Sequence, residues 1–183
     1  MLGKTLILVL LTILSSNTHA EIIADNETLK TIYEQDQLDR GAKVIDWSEV
    51  RVRDDKRREQ TLIMLRTGEL RTAKDYLHAA MIMQHGRSAE DFKVANGLAR
   101  ISMTIDPSNT QARWLTAASW DRMLTSKNMP QWYGTQYRLS EHSGQYELFP
   151  IDETAVSDED RVAMSVPVLQ DKLDFLKKLS NEL

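Results

Sequence analysis

The chain reads as an all-α protein built from antiparallel helix pairs, either tetratricopeptide-like or an irregular bundle. Three observations predict this. Glycine and proline are scarce, at 7 and 4 in 183 residues. Apolar residues recur at the three- and four-residue spacing of helices over most of the length. Ser, Thr or Asn precedes most of these stretches, where a helix start needs side-chain acceptors. The pattern lapses between about residues 128 and 156. Pro130, Gly134, Gly144 and Pro150 interrupt it there, and a loop or short hairpin around Tyr137 and Tyr146 is expected.

The elements follow in order. Asn26 caps a first helix with Leu29, Ile32 and Tyr33 on its apolar stripe, ending near Arg40 before Gly41. A second runs from about Val52 to Arg66, with Leu62, Ile63 and Leu65 inward and Gly68 closing it. Thr72 caps a third, whose inner face carries Ala73, Tyr76, Leu77, Ala80 and Gln84. Gly86 is expected to end it in the left-handed conformation. Ser88 opens a fourth, with Phe92, Ala95, Leu98, Ala99 and Ile101 buried and Glu90 and Asp91 near its positive end. Asp106-Pro107 stops that helix, and Asn109 caps a fifth with Ala112, Leu115, Ala118 and Met123 inward. Ser157 caps a short turn, and Pro167 suits the first turn of a last helix ending near Leu179.

Residues 1–20 have the layout of a secretory signal peptide: Lys4, an apolar run from Leu6 to Leu14, then Thr18-His19-Ala20 before Glu21. The run is about half the length a bilayer crossing needs. The expected organisation is a signal over 1–20 and one helical domain over 21–183, in the periplasm or secreted, with no membrane contact after cleavage. The formal charge is −4, and one unit more negative without Lys4. Such a balance argues against nucleic acid as a partner. Arg51, Arg53, Lys56, Arg57 and Arg58 are interrupted by Asp54 and Asp55 and read as a solvated helix face. There is no cysteine, which removes disulfides, thiol nucleophiles and Cys-ligated zinc.

No metal site and no cofactor is expected. Asp75, His78, Ile82 and His85 share one helical stripe, but seven residues separate the histidines by about 10 Å, too far to share one ion. Asp152 to Asp160 lacks the ordered spacing of a calcium loop and reads as an acidic helix start. Asp75 and His78, three apart, read as a helix-supporting surface pair or as an oriented base. No nucleophile elbow, phosphate loop or acylase motif occurs, so no catalytic residue is assigned.

The candidate ligand-binding residues are Asp75, Tyr76, Gln84 and His85, then Asp121 and Arg122, then Gln131, Gly134, Thr135 and Gln136. Gln84 is an amide on an apolar stripe, and a buried amide needs partners. The segment Pro130 to Tyr137 offers amides, a hydroxyl, aromatic rings and a glycine suited to close backbone approach, which fits a polar organic ligand. The leading expectation is an exported binding or interaction protein with a polar pocket for a small molecule or protein partner. One alternative is a hydrolase using His85 or His78 with a carboxylate. Another is a structural module whose polar groups only pin the loop. A histidine nitrogen within reach of a carboxylate beside an open cavity would mark the enzyme. Side chains saturated by one another would mark the structural module.

Asp39-Arg40, Asp75-Tyr76, Ala79-Ala80, Gln84-His85-Gly86, Asp121-Arg122 and Gln131-x-x-Gly134-Thr135-Gln136, in that order, resemble a family of small bacterial proteins carrying a domain of unknown function. The resemblance spans most of residues 28–165 and implies no activity, substrate or catalytic residue. Ala95, Ala99 and Ile105 to Asn109 resemble the second helix and turn of a tetratricopeptide-like repeat. That likeness covers about one repeat, and the glycine and tyrosine of its preceding helix are not at their positions.

Overall fold

A computed structural model describes residues 23–182. The signal reading of residues 1–20 lies outside them. The described residues form packed helix pairs with one small hairpin: α1 Glu27–Arg40, α2 Trp47–Arg66, α3 Ala73–Gln84, α4 Ala89–Ile105, α5 Thr110–Thr125, β1 Tyr137–Leu139, β2 Tyr146–Leu148, α6 Asp158–Ala163 and α7 Leu169–Ser180.

Local chemistry sets the boundaries. Asn26, Thr72, Ser88, Asn109 and Ser157 each accept a backbone N–H of the first turn that follows. Thr72 with Asp75, Ser88 with Asp91 and Ser157 with Asp160 complete reciprocal capping boxes. Gly68, at φ +74°, ends α2: Glu69 N–H reaches Met64 O at 2.9 Å and Gly68 N–H reaches Leu65 O at 3.3 Å. Helix α2 begins earlier than its apolar spacing suggests, because Asp46 caps it by accepting from Ser48 and Glu49. Pro167 lies two residues before α7 rather than in its first turn.

Helix α3 is central. Asp75 and every residue from Leu77 to Gln84 are buried, so beyond its first turn it has no solvated face. Alanines make that possible: Ala79, Ala80, Ala95, Ala99 and Ala112 share one core with Leu29, Ile82, Leu98 and Leu115. Small side chains let helix axes approach and raise the dispersion contact per residue. Ser102 ties α4 to α3 by donating to Ala73 O at 2.6 Å. Asn96 ties α4 to α5 by donating to Thr116 O at 2.7 Å.

Two expectations about faces fail and a third holds only in part. Ile63 and Ile101 are 51% and 41% exposed, while Asp54, Arg57 and Thr61 take the inner stripe of α2 with Val50 and Met64. The basic run of α2 is a solvated face only in part: Arg51, Arg53 and Lys56 are exposed, but Arg57 is buried and Arg58 half-buried. Buried Arg57 bonds Asp54 at 3.0 Å and Asp39 at 2.6 Å, and Arg53 reaches Asp39 at 2.8 Å. Hydrogen bonding, from Arg53 foremost, holds the Asp39 carboxyl below its ordinary value. A buried charge must be paired, and here the pairs lock α1 to α2.

The irregular segment has its own hydrogen-bonded frame. The hairpin pairs Tyr137 with Leu148 and Leu139 with Tyr146, and β2 packs against α7. Residues 131–136 form a tight loop bridged to Ile151. No helix among the described residues is long and apolar enough to cross a membrane.

Candidate functional site

The last turns of α1, α3 and α5 meet the first turn of α2 and the loop at Thr135-Gln136. Between them lies an open cleft of about 880 Å³. Arg40, Arg51, Arg87, Arg122 and His85 line it, against one acid, Asp54, and with Trp47, Trp114 and Tyr137 at its walls.

Arg122 joins the parts. Its Nη1 donates to Gln84 O at 2.9 Å, which meets a free carbonyl at the end of α3, and its Nε donates to Gln136 Oε1 at 3.1 Å. No carboxylate pairs with it among the described residues. Burial, and then repulsion from Arg40, lowers its pKa from the ordinary arginine value. Both causes disfavour the cation, and the opposite charge of an anion in the cleft would offset them. Arg40, by contrast, is held by Asp36 at 2.8 Å and Asp54 at 2.7 Å. Arg87 is held by Asp55 at 2.8 Å. Arg51 donates through Nε to Trp47 O at 2.9 Å and has no acid partner among the described residues.

His85 caps α3, and its Nδ1 lies 3.0 Å from the carboxylate of Asp36, which is fully buried. Asp36 also receives Arg40 and Gln37. With Nδ1 so engaged, Nε2 is the ring nitrogen left for the cleft. Gln84 is 4% exposed, and its Oε1 has no hydrogen-bond partner.

Of the ten residues singled out from sequence, Gln84, His85, Arg122, Thr135 and Gln136 line the cleft. The other five do not. Asp75 sits at the opposite end of α3 from His85, about 15 Å away along the axis. Its carboxylate accepts from the backbone N–H groups of Asn26, Arg71 and Thr72 at 2.7–3.0 Å. Tyr76 packs against the core. Asp121 lies directly behind the loop and takes the N–H groups of Trp132, Tyr133 and Thr135 and the hydroxyl of Thr135 at 2.8–3.0 Å. Arg161 grips the other side, donating to the carbonyls of Trp132 and Tyr133. Gln131 is fully buried and spent on Gln136 and Phe149 backbone groups.

Both glycines act differently from the expectation. Gly134 has φ +79°, and an added Cβ would lie 3.4 Å from Ile151, so the backbone turn requires it. Gly86 does not adopt positive φ. An added Cβ there would lie 2.3 Å from Asp91 Cβ, so close approach to α4 is its reason.

Asp75 and His78 do not pair. His78 is buried, stacks on Tyr33 at 4.1 Å between ring centroids, and burial lowers its pKa. Among the described residues no three His, Asp or Glu side chains are placed to hold a metal ion.

Sequence reasoning missed Asp36, Arg51, Asp54 and both cleft tryptophans. Asp36 had a signal. It falls on the stripe of Leu29, Ile32 and Tyr33, where an acid must find buried partners.

Compared with known proteins, the chain matches no family model, no curated protein and no solved structure.

Proposed function

We propose that the cleft binds an anionic polar organic ligand and that the protein works as a binding protein through it. Arg122 carries the proposal: a largely buried guanidinium, fixed by two hydrogen bonds, with no carboxylate partner among the described residues. Guanidinium groups recognise carboxylates and phosphates through paired donors, most strongly where water is excluded. The ligand is a small molecule or a short segment of a protein partner. The test is native mass spectrometry of the protein as purified, beside the Arg122→Gln variant. A bound anion lost from the variant is the expected result. A ligand retained equally by both would overturn the role of Arg122.

A second reading, a hydrolase, is favoured by the His85–Asp36 pair beside the cleft. The buried carboxylate fixes the ring through Nδ1 and leaves Nε2 facing the cleft, where it could take a proton from water attacking a bound ester, amide or acetal. Turnover that disappears in Asp36→Asn while ligand affinity persists would establish this reading over simple binding.

Export remains the reading of residues 1–20. A mature N-terminus at Glu21 in an osmotic-shock fraction is the expected outcome, and an intact Met1 in the membrane fraction would defeat it.

A further inference from the structure

The ligand class can be narrowed, on the footing that the cleft binds an anion. Two of its four arginines, Arg51 on α2 and Arg122 on α5, have no acid partner among the described residues. They belong to different helices and line the cleft from two sides, so each offers a place for a negative group. The helix ends agree. Phosphate sites use helix N-termini, where N–H groups and the dipole favour negative charge. Here Arg40, His85 and Arg122 mark the C-terminal ends of α1, α3 and α5, whose dipoles oppose a concentrated anion, and the N-terminus of α2 at the cleft is already capped by the Asp46 carboxylate.

The cleft also asks for donors. Gln84 lines it, and the side-chain oxygen has no hydrogen-bond partner in the protein. A buried amide oxygen left unpaired is destabilising. A ligand hydroxyl would satisfy it once the amide turns toward the cleft. Finally, Trp47 and Trp114 are 51% and 39% exposed, and among the described residues no ring or cation stacks on either. Tyr137 differs, because the Lys172 ammonium lies 4.4 Å from its centroid. Two uncovered indoles in a charged cleft offer flat apolar platforms. Pyranose rings present a flat C–H face and hydroxyl edges together.

We infer that the cleft takes a short acidic saccharide, with carboxylates on Arg122 and Arg51, hydroxyls toward Gln84 and His85, and ring faces on Trp47 and Trp114. The volume of about 880 Å³ suits more than one ring.

Three probes separate charge from ring. They are trigalacturonic acid, its uncharged methyl ester, and an N-acetylated, C-amidated triglutamate peptide with the same number of carboxylates. Binding to the purified protein is followed by tryptophan fluorescence and calorimetry. Trigalacturonate should bind at least tenfold more tightly than either control. Trp114→Ala and Arg51→Gln, at partly exposed positions and checked by circular dichroism for intact helices, should each weaken it about tenfold. Equal affinity for the peptide, lost in Arg122→Gln, would sink the saccharide and leave the anion reading standing. Equal affinity for the methyl ester would remove the charge requirement. No binding by any probe would overturn the saccharide, and if native mass spectrometry also finds no anion, the anion reading falls with it.

Discussion

The two ends of α3 carry similar residues and have opposite fates. At its N-terminal end, Asp75 is 1% exposed and accepts three backbone N–H groups, and His78 one turn on is covered by Tyr33. At its C-terminal end, Gln84 is as buried as Asp75 but its Oε1 is unpaired, and His85 keeps one nitrogen for an open cleft. Burial does not distinguish the ends; unmet hydrogen-bonding capacity does. The closed end meets main-chain donors from residues 26, 71 and 72, each fixed by chain geometry. The open end meets guanidinium groups from other helices, each with more donors than the protein uses.

The contrast breaks most easily at the closed end. Asp75→Ala leaves three N–H groups without their acceptor and removes half of a capping box, a loss of about 2–3 kcal/mol in urea denaturation. The affinity of the cleft for its ligand should not change. If binding falls with stability, the two ends are coupled and the division made here is wrong.

Gly86 tests the open end. The added methyl of Gly86→Ala must displace Asp91, whose carboxylate holds the Ser88 N–H at 3.0 Å at the start of α4. The expected cost is about 1–3 kcal/mol, as for overpacking elsewhere. Gly134→Ala should cost about 1 kcal/mol through its positive φ. Thermal melts giving no change at Gly134 would show that the loop does not depend on a glycine at this turn.

A double-mutant cycle sharpens the open end further. Arg122 bonds the carbonyl of the residue before His85 and shares the cleft with it. His85→Ala and Arg122→Ala should show a coupling of about 0.5–1 kcal/mol in ligand binding, at the low end for residues in one network. Additive effects would divide the cleft into two independent walls.

Much of the architecture was legible because it is local. Asn26, Thr72, Ser88, Asn109 and Ser157 announce helix starts through bonds to their own neighbours, and Tyr137 and Tyr146 flank a turn marked by Ser140, Ser143 and Gly144. The site was legible by half. Gln84, His85 and Arg122 stand out as polar groups near helix ends, yet Asp75 and Asp121 stand out equally and are spent within the protein. Asp75 has a local signal, the Thr72-x-x-Asp75 spacing of a capping box, but Asp121 has none, because it meets its donors 11 to 14 residues away. Arg51 went unread for the same reason as Asp121: its role depends on which helix ends meet.

The smallest effect concerns pH at the closed end. Burial, and then Lys74, lowers the His78 pKa, while Asp25, Asp75 and Glu34 oppose the shift. The unfolded chain protonates this imidazole near its ordinary value of 6.5. Above that value both states are neutral and the residue adds no pH dependence. As pH falls below it, the unfolded state binds a proton that the folded state does not yet accept, so stability declines until the lowered folded pKa is reached. His78→Phe keeps a ring against Tyr33 and removes the proton. The variant should therefore melt increasingly above the parent as pH is taken from 7 to 5, with the two closest at neutral pH. Parallel melting curves across that range would show that His78 is protonated as easily in the fold as in the open chain, and the closed end would lose its claim to be closed.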